Sequence, residues 1–317
     1  MISKMKKNSI CLIGIGRWGQ NHLRILNNLK LLSGIYDLNY NNLKEKKIKI
    51  YKNINEIIED KNVKGVIIAT PPDTHYEIAS KFVRNKIPVL IEKPVCLNLS
   101  DTLKLNKLTK KYKTITLVGH LLFFHPAFKM IKKILKNNLI GEINYIESNR
   151  LNLGKIRKNE DILWSFAPHD ISMITNIVNT HYDSIRSMGM KISNSRVSDV
   201  STTLIKYKSI LAKISVSWLH YEKVHEFFIL GKKGMVIFND TNSWAKKIKL
   251  IKYKIDKNKV ISSSEKFIKI KKDEPLKEEI IHFVDIITGK KKDSPVFLEK
   301  IISTMKILDV CSRQISK

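Results

Sequence analysis

The 317-residue sequence is poor in cysteine: it has three, Cys11, Cys96 and Cys311. They are far apart and odd in number, so they offer neither a disulfide framework nor a metal-ligand spacing, and they suggest a reducing compartment. No apolar stretch has the length a membrane-spanning helix needs. The N-terminus imitates a secretory signal, with Lys4, Lys6 and Lys7 before an apolar run. That run, Ile10 to Ile15, is short, and Arg17 ends it without a small-residue cleavage site. A cytoplasmic protein is expected, and a membrane is not an expected partner. Acidic residues are also scarce, 29 against 58 lysines and arginines, for a net charge of +29. Such a balance raises nucleic acid as a partner. Against it, the lysines run from Lys4 to Lys317 and never gather into one basic block interleaved with aromatics. Lysine, isoleucine and asparagine share A/T-rich codons, so a biased genome gives the same excess. No internal repeat or low-complexity linker is visible beyond the lysine bias.

What is present is a chain long enough for two domains, with 43% hydrophobic residues. Ser9-Ile10-Cys11-Leu12-Ile13 reads as a buried strand. It runs into Gly14-Ile15-Gly16-Arg17-Trp18-Gly19 and then into a helix carrying Leu23, Ile25, Leu26 and Leu29. Strand, G-x-G-x-x-G and helix are the parts of a dinucleotide site. The glycines give a tight turn, close approach of backbone to pyrophosphate, and tight helix–strand packing. The helix start offers unpaired N–H groups to phosphate. The second strand, Leu31 to Tyr36, ends in Asp37, about 20 residues after the glycines, where a ribose-binding acid belongs. A carboxylate there accepts from both ribose hydroxyls and repels a 2′-phosphate. Leu38 and Asn39 follow it, with no arginine, so NAD is expected over NADP. Taken alone, Asp37 can also be a turn or helix-cap residue, the lesser alternative.

The alternation continues. Ile57 and Ile58 mark a short helix and Gly65 to Ala69 a strand. Thr70-Pro71-Pro72-Asp73-Thr74-His75 then leads into a helix with Ile78, Ala79, Phe82 and Val83 inward. Asp73 or Thr74 can cap it, and His75 by itself reads as a first-turn residue. Pro88 to Ile91 is a strand that runs into Glu92-Lys93-Pro94. A lysine at the carboxyl edge of a sheet stands where open α/β folds bind ligands, and desolvation can fit such a lysine for acid–base work near neutrality. It can also simply leave the sheet for water. A helix over Leu103 to Leu108 and a strand over Ile115 to Val118 complete a doubly wound parallel sheet, the Rossmann architecture, in a first domain over 1–120.

These residues resemble the Gfo/Idh/MocA oxidoreductase family, which includes glucose–fructose oxidoreductase, inositol dehydrogenases and UDP-N-acetylhexosamine uronate 3-dehydrogenases. The resemblance rests on Gly14-Ile15-Gly16-Arg17-Trp18-Gly19, on Ala69-Thr70-Pro71-Pro72 with Thr74-His75, and on Glu92-Lys93-Pro94, in that order. It implies that Lys93 lies by the nicotinamide and the substrate hydroxyl, and that Thr70, Pro71 and Pro72 border the nicotinamide ribose. The cofactor contacts it implies are Gly14, Gly16, Arg17, Trp18, Gly19, Asp37, Thr70, Pro71, Pro72, His75, Glu92 and Lys93.

The second domain is expected over 121–317, opening just after Gly119 and His120. Pro126 starts a helix with Phe128, Ile131, Ile134 and Leu135 on one face. A strand over Ile143 to Ile146 leads to Arg150-Leu151-Asn152. Pro168 reads as a helix start, with His169 and Asp170 in the first turn; taken alone, that is a polar first turn with a capping aspartate. Alternating or apolar runs over Ser201–Tyr207, Ile210–Trp218, Glu226–Leu230, Gly234–Phe238 and Ile248–Ile255 read as strands. Glu278–Ile287 and Leu298–Cys311 read as helices. An α+β domain with a large, mostly antiparallel sheet and helices on one face is expected. Its open face is apolar enough to call for a homo-oligomer.

The family's second signature is often Asp-x-x-x-His. His169 matches the histidine, and Ser165 stands at the aspartate position. By resemblance, Lys93 and His169 are the proton-transfer candidates, and His120, Arg150, Asn152, Ser165 and Asp170 are candidate substrate contacts. No metal is expected. Leu163-Trp164-Ser165 with Ala167-Pro168-His169-Asp170 looks most like the nucleotide-sugar branch. The expected activity is NAD-dependent hydride transfer from a sugar secondary alcohol, at C3 of a UDP-N-acetylhexosamine or its uronic acid. An inositol or free sugar is the alternative substrate, and a non-catalytic dinucleotide-binding protein is the alternative class.

Overall fold

The structure is a computed structural model that describes residues 8–39, 48–154, 156, 161–193, 197–257 and 259–315. Lys4, Lys6, Lys7 and Lys317 lie outside those residues. The chain forms two compact units, Met1–Leu121 with Glu274–Ile302, and Leu122–Asp273 with Ser303–Lys317.

The first unit is built on β1 (Ile10–Ile13), β2 (Leu32–Tyr36), β3 (Gly65–Ile68), β4 (Val89–Glu92) and β5 (Thr116–Gly119). All pair in parallel, in the order β2-β1-β3-β4-β5. Every residue of β1, β3, β4 and β5 is buried, as expected for a parallel sheet covered on both faces. The connections are α1 (Gly19–Asn28), α2 (Ile54–Glu59), α3 (His75–Arg84) and α4 (Leu99–Tyr112). Asn53 and Asn98 cap α2 and α4 by accepting from Glu56 and Asp101 N–H. The expected cap on α3 is absent. A 3-10 turn over Pro72–Thr74 precedes the helix, and the Thr74 hydroxyl bonds Thr70 Oγ1 and the Pro71 carbonyl instead.

In the second unit, α5 (Pro126–Lys136) and α6 (Ile162–Val178) pack on an eight-stranded sheet. Its strands are β6 (Ile143–Leu153), β7 (Ser184–Met190), β8 (Val200–Tyr207), β9 (Ile210–Ser217), β10 (Leu219–Gly231), β11 (Gly234–Asn239), β12 (Ile248–Asp256) and β13 (Lys259–Phe267). The order is β13-β12-β11-β10-β6-β9-β8-β7, antiparallel throughout except for the central parallel pair β6 and β9. Ile146, Ala212, Ile214, Phe227, Ile229, Val236 and Phe238 point to the buried face. Alternating with them, Tyr145, Phe228, Met235 and Ile237 are only half-buried and Leu204 is exposed, so the period of two is kept across the sheet.

The chain departs from the expected division at 121. Helix α7 (Pro275–Ile287) belongs to the first unit, where it packs along α1. Its Leu276, Ile280, Phe283 and Val284 are buried. A Cβ on Gly65 of β3 would lie 2.8 Å from Ile287 and 3.2 Å from Phe283. Each large apolar side chain fully buried this way contributes about 1.5–3 kcal/mol. The next helix, α8 (Leu298–Ile315), buries Leu298, Ile301, Met305 and Leu308, with Ile302 half-buried; Cys311 is buried as well. No helix of the described residues is long and apolar enough to cross a membrane.

Candidate functional site

The strand order turns round between β1 and β3, and open α/β sheets bind ligands at the carboxyl ends of the strands where the order reverses. A cavity of about 630 Å³ opens there, lined by Gly14, Ile15, Gly16, Gln20 and Asp37 on one side and Ala69, Thr70, Pro71, Thr74 and Ile78 on the other. Gly14 has φ +88°, and a Cβ on it would press on the Ala69–Thr70 backbone at 2.8 Å. A Cβ on Gly19 would fall on the Gly14 carbonyl. A Cβ on Gly16 would meet nothing within 4 Å, so that side of the turn is open to a phosphate at the start of α1. Asp37 is held ready, its Oδ2 accepting from Ile15 N–H at 2.7 Å and its Oδ1 from Asn39 N–H at 2.7 Å. Each oxygen keeps a second lone pair for a hydroxyl. The cradle and the oriented carboxylate fit a dinucleotide.

Lys93 follows β4, next to β3 in the sheet, and the Lys93–Pro94 peptide bond is cis. Behind it Glu92 is 6% exposed and turned inward. Its Oε1 accepts from Trp18 Nε1 at 2.5 Å and lies 2.6 Å from His22 Nε2; its Oε2 accepts from Lys93 N–H at 3.2 Å. Burial pushes the Glu92 carboxyl up, but the bonds from His22 and Trp18 and the Lys93 charge outweigh it, and the net direction is down. On the other flank His120, at the end of β5, is pushed down to about 3 by burial and by the Lys93 charge. An anion and a neutral imidazole therefore border Lys93.

Of the expected cofactor residues, Gly14, Gly16, Asp37, Thr70 and Pro71 line the cavity. Trp18 is 41% exposed and ties α1 to Glu92, and Arg17 is exposed on the same turn. Gly19 begins α1, and Pro72 opens the 3-10 turn. His75, expected among the cofactor contacts, is fully buried. Its Nδ1 lies 2.9 Å from the Pro94 carbonyl and its Nε2 2.9 Å from the Thr70 carbonyl. Of these two partners Thr70 lines the cavity, and His75 itself does not. His22 went unnoticed in the sequence; its place three residues after Gly19, among apolar helix positions, was the available signal.

In the second unit α6 starts earlier than expected. Asp161 caps it by accepting from Trp164 N–H at 3.0 Å, and Pro168 lies inside the 17-residue helix. His169 and Asp170 are therefore in mid-helix and not in the first turn. Asp170, 1% exposed, takes Arg150 from β6 as a two-pronged partner, Nε to Oδ2 at 2.8 Å and Nη2 to Oδ1 at 2.9 Å. Burial pushes the Arg150 guanidinium down and Asp170 more than restores it. His225 on β10 is pushed down to about 4 by burial and by Arg150. Asn152 follows Arg150 by two on β6 and so shares its face. Ser165 and His169, one turn apart on α6, are 1% and 9% exposed. Among the described residues no group of three or more His, Cys, Asp or Glu side chains is placed to hold a metal.

Comparison with known proteins agrees with this geometry. A family described as "Oxidoreductase family, NAD-binding Rossmann fold" matches residues 9–120, and the Gfo/Idh/MocA C-terminal domain matches residues 128–237. The myo-inositol 2-dehydrogenase of Thermotoga maritima is 28% identical over 217 residues, 63% of this chain and 65% of that protein. The UDP-N-acetylglucosamine 3-dehydrogenase of Acidithiobacillus ferrooxidans is 23% identical over 183 residues, 56% of each. The matched stretches thus span less than two thirds of these relatives' length. The crystal structure of the A. ferrooxidans enzyme has the same fold, with a TM-score of 0.84 at 18% identity over 98% of this chain and 99% of that one. With an NAD-binding Rossmann unit followed by the C-terminal domain of the same family, the chain belongs to the Gfo/Idh/MocA oxidoreductases.

Proposed function

We propose that the protein is an NAD-dependent dehydrogenase acting on a secondary alcohol of a sugar, with C3 of a UDP-linked N-acetylhexosamine or its uronic acid as the reacting carbon. What supports this reading is Lys93 at the carboxyl edge of β4, the neighbour of β3 whose following residues Ala69, Thr70 and Pro71 line the cavity, with the Glu92 carboxylate accepting from the Lys93 N–H. Gly14, Gly16, Gly19 and Asp37 would hold the dinucleotide, with Thr70 and Pro71 across the cavity from them. When bound, its nicotinamide supplies the hydride acceptor. Lys93 takes the hydroxyl proton, and its ammonium form favours a developing alkoxide. His169 is the second proton-transfer group, and Ser165 can orient but not deprotonate. His120, Arg150, Asn152 and Asp170 are assigned to the substrate side.

The inositol alternative is favoured by the T. maritima relative's name, and the non-catalytic alternative by Ser165 at the position of a carboxylate. A panel of UDP-sugars, inositols and free sugars, followed by NADH absorbance, separates them. Turnover of a UDP-N-acetylhexosamine supports the first reading and turnover of an inositol alone replaces it. NAD binding without any turnover favours the non-catalytic protein.

Two further expectations belong to this reading. Because Asp37 has both oxygens preset toward the cavity, NAD should bind more tightly than NADP, and Asp37→Ala should narrow the gap. Titration of both cofactors by calorimetry checks this, and tighter NADP binding by the unmodified protein contradicts it. The half-buried sheet face carrying Tyr145, Leu204, Phe228 and Ile237 should form a homo-oligomer of closed symmetry, a dimer or tetramer. Sedimentation at micromolar concentration should show a multiple of the 36.7 kDa chain; a monomer alone contradicts it. A cytoplasmic location, with no membrane or nucleic-acid partner, completes the reading.

A further inference from the structure

A carboxyl group lies in the interior of the first unit without a partner. Glu279 of α7 is 1% exposed, and neither side-chain oxygen has a hydrogen-bond partner. Its helix packs along α1, and Arg24 of α1 bonds Glu274 at the start of α7. Helix α1 also carries His22, 0% exposed, with Nε2 on Glu92 and Nδ1 unpartnered. Glu92 acts on it from β4, while on α1 His22 is bonded to that Glu92 and Arg24 to Glu274. Its own helix adds Glu278 and His282, and the His282 ring is bonded to the Ser294 hydroxyl. Leu276, Ile280 and Phe283 complete the apolar setting.

An ionised carboxylate without a partner is not kept in such a place; it takes up a proton instead. Burial and the neighbouring Glu92 charge both push Glu279 well above the ordinary carboxyl range. When Nε2 of His22 donates to the Glu92 carboxylate, Nδ1 is left with a lone pair. A protonated Glu279 is uncharged, so it adds no second charge to that of Glu92. We propose that Glu279 holds a proton at neutral pH and, together with His22, keeps Glu92 as the single buried negative charge behind Lys93. Glu279 is then a positioning residue for the Glu92-Lys93-Pro94 turn. Its kinetic consequence rests on the dehydrogenase reading; its protonation does not.

Infrared spectroscopy of the protein without substrate tests it. Ordinary carboxyls titrate near 4, so at pH 7 a carboxylic-acid carbonyl band marks a group such as Glu279. The band should be present in the unmodified protein, lost in Glu279→Gln and displaced in Glu279→Asp. Its absence from the unmodified protein overturns the proposal. Thermal melting gives a second readout. With the folded-state pKa raised, the folded protein keeps a proton that the unfolded chain gives up above about 4.3, so this group's contribution to stability falls as pH rises. Melting temperatures of Glu279→Gln and the unmodified protein should diverge in favour of the variant as pH rises above about 4.3; parallel curves overturn the proposal. Should Glu279→Gln fail to fold, the displaced band of Glu279→Asp still decides. On a substrate that is turned over, Glu279→Ala should lower kcat more than it raises KM, and Glu279→Gln should restore it. Equal losses in both contradict the positioning role. The band is read without turnover, so failure of the dehydrogenase reading leaves this result standing.

Discussion

Replacing Lys93 with methionine is expected to lower kcat by at least about 10²-fold on the sugar substrate, the low end for losing a positioned base. Methionine keeps much of the apolar stem and removes the ammonium. NAD affinity should stay close to normal, because the glycine cradle and Asp37 hold the dinucleotide and Lys93 is not among the groups lining their cavity. Glu92 should keep its bonds to Trp18 and His22, so the turn behind the lysine survives. His169→Gln is expected to cost at least about 10²-fold as well, since it keeps a donor and removes the titratable group. The double variant should be little worse than the worse single, because groups that act as a unit are not additive. Ser165→Ala should cost much less. Steady-state kinetics with calorimetric NAD titration checks the set. A Lys93→Met enzyme that turns over normally would move the non-catalytic or a differently catalysed reading to the front.

The second large effect is expected on stability. Arg150→Met removes the two-pronged partner of Asp170 and leaves a carboxylate that is 1% exposed without its cation. Breaking a buried pair from one side costs about 3–5 kcal/mol. That is a large part of the roughly 5–15 kcal/mol that holds a typical protein together. Removing both charges, with Arg150→Met and Asp170→Leu together, should recover most of the loss, because no unpaired charge is then left inside. Urea unfolding reads both. A loss below about 1 kcal/mol in the single variant would mean that the Asp170 site is wetter than its burial indicates.

The first unit was legible because its signals are local. A short apolar strand, three glycines at fixed spacing and an acid at the end of the next strand each restrict the backbone within a few residues. The reversal between β1 and β3 then puts them at one cavity. What was not legible depends on long-range choices. The apolar stripe of α7 shows that Ile280 and Phe283 must be buried but not against which sheet, and they return to the first unit. The parallel pairing of β6 with β9 leaves no mark on either strand's alternation. Strand β13, the edge strand of the sheet, has Ser264 and Glu265 in its second half and lacks the apolar run that marks a strand. Pro168 reads as a helix start by its usual preference, but Asp161 supplies the cap seven residues, about two turns, earlier and the proline is absorbed in mid-helix. Glu279 was visible as a carboxylate inside an apolar stripe, and its meaning came only with the packing of α7 on α1.

The most direct test of the central claim is hydrogen transfer from the sugar itself. With a UDP-N-acetylhexosamine carrying deuterium at C3, the unmodified protein should form NADH that contains the label, and Lys93→Met should form it at least about 10²-fold more slowly. Label retained on the sugar or lost to water, or equal rates in the two proteins, would contradict the account.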